Sequence, residues 1–124
     1  SSVPAAAVSS IKGAYPNAGF IEWDSEMHGL KRIYEAEFRI NGFQFDVKVS
    51  PDGKIVRIKE EIAASSLPEA VSSSVLKRYP GCRIKEAEKI TEGELVRYKV
   101  EVADSRDDYD VLIAPDGNIL HIDR

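Results

Sequence analysis

Carboxylates offer this chain most of its chemistry, and Glu37 and Asp46 are the most pointed pair. Asn41-Gly42 lies midway between them and is a strong hairpin signal, because both central residues of a type I′ turn need positive φ. A two-residue turn there sets Glu37 directly opposite Asp46 on the polar face of a hairpin. Glu101 and Asp110 oppose each other in the same way if a turn is centred on Ser105-Arg106. Paired carboxylates can divide acid and base roles when a pocket drives their pKa values apart. They can also attract calcium, but calcium takes six to eight oxygens and such a pair supplies too few. Opposed like charges destabilise a sheet. Arg39, Lys48, Arg97 and Lys99 are near enough to balance them, so a solvated, charge-balanced face is expected.

The other reactive side chains are less organised. His28 and His121 are far apart in the chain, with no third ligand at zinc spacing, so no metal is expected. Cys82 follows Pro80-Gly81 with no identifiable base, which suits a small, partly buried residue better than a nucleophile. Ser9-Ser10 and Ser72-Ser73-Ser74 have no G-x-S-x-G elbow around them and are expected to allow close helix packing. Glycine-rich phosphate loops are absent. No catalytic residue and no cofactor are therefore assigned, and the chain is read as not an enzyme.

What must position these residues is a repeated unit. SSVPAAAVSSIKGAYPN at the start and SSLPEAVSSSVLKRYPG from Ser65 share one offset of 64 positions, which aligns Pro4 with Pro68 and Tyr15 with Tyr79. The same offset carries Tyr34 onto Tyr98, Glu37 onto Glu101, Asp46 onto Asp110 and Pro51-Asp52-Gly53 onto Pro115-Asp116-Gly117. The chain thus reads as one domain over 1–124 made of two copies, about 1–64 and 65–124. Apolar rows at Val3, Ala7, Ile11, Tyr15 and at Leu67, Val71, Val75, Tyr79 predict a helix in each copy. Ser2 or Ser66 is expected to cap it, with Pro4 or Pro68 in the first turn, and Pro16 or Pro80 to end it. Short strands are expected near 19–25 and 82–90.

Period-two segments follow, with Tyr34, Ala36, Phe38, Ile40 and Val96, Tyr98, Val100, Val102 facing inward. After the hairpins come Phe43, Phe45, Val47, Val49 and Tyr109, Val111, Ile113. The Pro-Asp-Gly turns suit a type I turn with a left-handed glycine, and last strands are expected at 54–59 and 118–123. The fold class is α+β: two tandem α-β-β-β-β repeats in one curved eight-stranded antiparallel sheet, helices on one face.

The totals agree with a globular domain. Apolar residues make up 43% and charged residues 31% of 124, with a net charge of −4. No basic face dense enough for nucleic acid stands out, and no apolar run approaches the ~20 residues of a spanning helix. Cys82 is the single cysteine, so no intrachain disulfide can form. A start at Ser1 without methionine fits a mature form whose signal peptide has been removed, and equally a chosen boundary.

The succession LPEAVSSSVLKRYPG, EKI, VRYKVEV and YDVLIAPDGNIL resembles the PepSY-like, β-lactamase-inhibitor-like domains of exported bacterial proteins. The resemblance spans both copies and is stronger in the second; Gly13 and Asn17 depart where the second copy has Lys77 and Gly81. It implies two α-β-β-β-β units and a periplasmic or secreted location. No inhibitory residue can be matched, so inhibition of β-lactamase is not implied.

One cluster is not demanded by the repeat. Trp23, Met27 and His28 correspond to Ala87, Thr91 and Glu92. Trp and Met are enriched at interface cores, so these three, in the first strand and the loop after it, are the candidate partner-binding residues; the alternative is that Trp23 fills a space that Phe20 and the neighbouring strands leave in the first copy. The expected function is a non-enzymatic exported binding or inhibitory module offering a sheet face or edge to a protein or peptide of the cell envelope. The alternative is a structural or stress-related envelope protein without a tight ligand. A 60-residue unit alone buries only roughly 60% of its unfolded surface. Calorimetry of the whole chain is therefore expected to show one transition; two separated transitions would mean that the copies fold independently.

Overall fold

The computed structural model describes residues 2–124. The described residues are α+β, with two α-helices and eight antiparallel strands, and the chain divides into two compact units between Glu60 and Glu61. The first holds α1 (Ala5–Ala14), β1 (Glu22–His28), β2 (Lys31–Ile40) and β3 (Phe43–Val49), with β4 (Ile55–Ile62) running across the boundary. The second holds a 3₁₀ turn (Ala64–Ser66), α2 (Glu69–Arg78), β5 (Arg83–Glu92), β6 (Leu95–Ala103), β7 (Asp108–Ile113) and β8 (Ile119–Asp123). Within each unit, strands consecutive in the chain pair as neighbours.

The helices start differently from expectation. Pro4 and Pro68 occupy the N-cap positions themselves, with extended ψ of 144° and 145°, and no side chain caps either helix. The proline carbonyl instead accepts the first turn's N–H groups: Ala7 and Val8 donate to Pro4, Val71 and Ser72 to Pro68. Ser2 and Ser66 stand two residues too early to reach. At the other end each helix stops one residue before Tyr15 or Tyr79, whose ψ of 66° or 75° is forced by the proline that follows.

Each helix lays its i, i+4 row on the strands of its own unit. In the first unit Ala7 and Ile11 are fully buried on Ala36, Phe38, Val47 and Val49. Tyr15 closes that core, its ring 5.0 Å from Phe38 and 5.6 Å from Phe45. In the second, Leu67, Val71, Val75 and Tyr79 pack on Tyr98, Val100, Val102, Val111 and Ile113. Cys82 and Ala18, one offset apart, sit at the margins of the two cores, and burial raises the Cys82 thiol pKa. Both features suit a packing role.

The strand bounds need correction. β1 starts at Glu22, not near 19, and includes Met27 and His28, which were expected in a loop. The reason is Gly29, whose φ of +65° closes a two-residue turn, so that His28 pairs with Lys31. Gly93 does the same between β5 and β6, with φ +61° and Glu92 paired to Leu95. β4 likewise runs on to Ile62.

The Pro-Asp-Gly turns are the tightest contacts with the helices. Gly53 N–H donates to Ser50 O and Gly117 N–H to Ala114 O, closing both turns. Each glycine has φ +93°, and a Cβ on Gly53 or Gly117 would stand 2.8 Å from Ala6 O or 2.6 Å from Ala70 O. Gly117→Ala therefore combines a left-handed penalty of ~1–2 kcal/mol with overpacking of ~1–3 kcal/mol. Gly93→Ala carries only the first, because nothing lies within 4 Å of its Cβ direction. Urea midpoints should fall more for Gly117→Ala than for Gly93→Ala; equal falls would show that the close approach contributes no stability.

Candidate functional site

The opposed acids stand where the turn arithmetic places them: Glu37 pairs in register with Asp46, and Glu101 with Asp110. A third acid extends each row, because Glu22 pairs with Glu37 and Glu86 with Glu101. The rows differ in their cations. In the second unit the register shifts between Ile84 and Glu86, and Lys85 at that shift reaches Glu101 at 3.4 Å and Asp108 at 2.9 Å. Lys99 stands 3.9 Å from Asp110. These neighbours raise the Lys85 pKa, the Asp108 hydrogen bond foremost.

The first unit has Ile21 at the position of Lys85, and Ile21 packs into the core instead. Lys48 is drawn to Glu26 at 2.6 Å, which lowers the Glu26 pKa, and Arg57 lies 3.9 Å from Glu35. Arg39 donates to Gly42 O at 3.0 Å, and Gln44 to Asp46 at 3.0 Å. Among the described residues Glu22, Asp24 and Glu37 form no ion pair. Desolvation, then Asp46, Glu35 and Glu22, push the Glu37 carboxyl above its ordinary value of 4.5. In the first unit the row ends on a cation, because Lys59 pairs in register with Asp46, while Glu22 and Glu37 at its other end have no counterpart of Lys85; in the second the row ends on an acid, Asp123.

β1 pairs with β2 on one side, over Glu22–His28, without a register shift. Alternation divides the three candidate contact residues. Trp23, opposite Ala36, is half-buried against the first unit's core. Met27 lies on the same face at 52% exposure, beyond the helix, while Ser25 between them accepts from Arg32 at 3.0 Å. His28 is on the opposite, polar face, 3.1 Å from Glu26. Trp23 and Met27 thus share a surface that His28 does not.

Sequence reasoning missed Phe20. Its repeat counterpart Ile84 is a strand residue packed in the second core, whereas Phe20 is 83% exposed. The second unit pairs Arg83 with Ala103 and Ile84 with Val102, but in the first, pairing ends at Glu22–Glu37. The unpaired segment 19–21 turns Phe20 outward and leaves a cavity on either side. One, about 310 Å³, is lined by Phe20, Glu22, Glu37, Phe38, Arg39 and Gln44. The other, about 560 Å³, includes Val3, Phe20, Ile21, Trp23, Ser25 and Tyr34 in its lining. The glycine at 19, where the second copy has Arg83, was the available signal.

Because Glu37 binds its proton more tightly in the fold than in the unfolded chain, its ionisation costs stability. Protonation stabilises most below the ordinary glutamate range, and that gain is lost as pH rises through the raised value. Glu37→Gln should therefore stabilise at pH 7 by about 0.2–1 kcal/mol, the range for cross-strand charge pairs, and the gain should vanish in acid. Glu101→Gln, which loses Lys85, should give no such gain. Urea titrations at pH 7 and in acid check both; a Glu37→Gln variant less stable at pH 7 would contradict the assignment.

No protein-family profile matches the chain, and no curated protein does. Solved structures do. The chain is similar to a provisionally named periplasmic protein of Bacteroides eggerthii at 21% identity, with TM-score 0.81 over 99% of this chain and 89% of that one. A DUF2874-family protein of Bacteroides uniformis matches at 23% identity and TM-score 0.78, over 97% and 88% of the two chains. A BLIP-like protein of Bacteroides fragilis matches at 22% and 0.73, over 97% and 85%. At these identities the likeness speaks to architecture: the chain has the fold shared by DUF2874-family and BLIP-like proteins.

Proposed function

We propose that this chain is a non-enzymatic exported binding module, one PepSY-like domain of two repeats, that holds an extended segment of an envelope protein or peptide along β1. The observation that carries this reading is the β1 edge: seven residues paired on one side only, with large apolar residues exposed around it. Phe20, Met27 and Leu30 are 83%, 52% and 99% exposed, at the start, the end and the turn of that strand. An open strand edge offers backbone N–H and C=O groups to an added strand, and side-chain pockets beside it supply specificity. Trp23 and Met27 are the contacts on the helix side, and His28 on the polar side. The exported location rests on the PepSY-like resemblance and on the periplasmic description of the Bacteroides eggerthii protein.

Trp23→Ala and Met27→Ala separate contact from packing. Trp23 is half-buried, so its loss should cost about half of the ~3–5 kcal/mol of a buried aromatic. Met27 is exposed, and its loss should leave stability within about 0.5 kcal/mol. In amide NMR spectra of the labelled protein, short extended peptides should shift Glu22–His28 before any other strand, and Met27→Ala should weaken them. Shifts confined to another strand, or none, would refute the β1 reading.

A further inference from the structure

The charge along β1 narrows the class of segment it can take. Glu22, Asp24 and Glu26 lie at period two on the polar face, and Glu35, Glu37 and Asp46 stand behind them on β2 and β3. Lys48 occupies Glu26, while Glu22, Asp24 and Glu37 have no ion-pair partner among the described residues. On the other face the strand shows Trp23 and Ser25 beside the 560 Å³ cavity, with Met27 further along, opposite Arg32. Resting on the β1 reading above, we propose that the segment held there is basic, alternating cationic with apolar residues.

In a strand paired to β1, alternate side chains fall on opposite faces. Cationic residues meet Glu22 and Asp24, and the apolar residues between them enter the cavity beside Trp23 and Tyr34. The 310 Å³ cavity at the start of β1, where Arg39 donates to Gly42 O, takes one cationic side chain, its alkyl stem on the exposed Phe20 ring and its head between Glu22 and Glu37. Desolvation and then the neighbouring carboxylates raise the Glu37 pKa, and such a cation offsets the second cause. A second copy of the chain fits less well. Antiparallel β1 on β1 with Ser25 opposite Ser25 brings Trp23 to Met27 and Glu22 to His28, but it sets Asp24 against Glu26 and gives Asp24 no cation. A basic strand supplies that cation.

The test is a titration of the labelled whole chain with four capped eight-residue peptides: alternating Lys-Val, alternating Glu-Val, alternating Thr-Val, and the Lys-Val composition with its lysines grouped. The alternating Lys-Val peptide should shift the β1 amides and the Trp23 indole most strongly. Its affinity should fall as salt rises from 0.15 to 1 M, where screening shortens from about 8 to 3 Å. The Glu22→Lys/Asp24→Lys variant should bind it at least about tenfold more weakly, with β5–β8 amide shifts unchanged as the check on folding. Phe20→Ala should weaken it several-fold. If Thr-Val or Glu-Val binds β1 as tightly, the basic class is wrong while the β1 reading stands. Equal binding of the grouped peptide overturns the alternation. If no peptide shifts β1, both readings fall.

Discussion

Each unit depends on the approach of a helix backbone to a Pro-Asp-Gly turn. Without a Cβ at Gly53 and Gly117, the turn comes within contact of the Ala6 and Ala70 carbonyls. Ser74 Oγ donates to Gly117 O at 2.6 Å, pinning the second pair, and the Ser10 Cβ lies near Gly53 at the corresponding place in the first. A larger side chain at either serine would hold helix and turn apart. The contact fixes the helix over the hairpin that the turn closes. It thereby brings Ala7 and Ile11, or Val71 and Val75, down on the inward residues of the central strands. Beyond each turn the ladder takes one extra residue, Val56 or Leu120, at the register shift between Lys48 and Val49 or between Leu112 and Ile113.

Much of this was legible because it obeys short-range rules. Period-two alternation assigned the inward residues, and turn centres at Asn41-Gly42 and Ser105-Arg106 set the register of both acid pairs. In the second turn the loop residues 104–107 are held by Asp104, whose carboxylate accepts from Arg106 and Asp107 N–H at 2.8 Å each. The helix starts were misread because a proline preceded by serine looks like a cap and first turn, whereas Pro4 and Pro68 serve through their carbonyls. β1 extends past the expected 19–25 because Gly29 makes a tight turn after His28, and the glycine at the same offset, Gly93, makes the equivalent turn in the second copy. Phe20 was illegible for another reason: whether 19–21 joins the strand depends on competition for one core position, which Ile21 wins in the first unit and Ile84 in the second.

That competition also divides the electrostatics. The second unit absorbs an extra residue at a register shift, and Lys85 there answers Glu101 and Asp108. In the first unit β1 pairs with β2 without a shift, so Glu22 and Glu37 have no counterpart of Lys85, and the row meets a lysine only at Lys59, opposite Asp46. Residues 65–124 carry a net −3 and residues 1–64 only −1, yet Glu37 of the first half has the raised carboxyl pKa. Net charge over a segment therefore says little about a local field; which cation reaches which carboxylate decides it.

The strands β1 and β8 show two ways of managing an open edge. β8 is five residues long, and its ladder with β7 is interrupted by a register shift at Leu120, leaving little regular backbone in line for another strand. β1 is seven residues long and regularly paired, with neither proline nor register shift. Shortness and bulging deter any incoming strand, whereas side-chain charge deters only strands of like sign. Protection of β1 thus rests on charge, chiefly Glu22 and Asp24, since Lys48 engages Glu26. Such protection opposes an acidic strand and, on the reading proposed above, favours a cationic one. The missing lysine on the neighbouring row has the same consequence, since a cation at Ile21 would neutralise the field at the start of that edge.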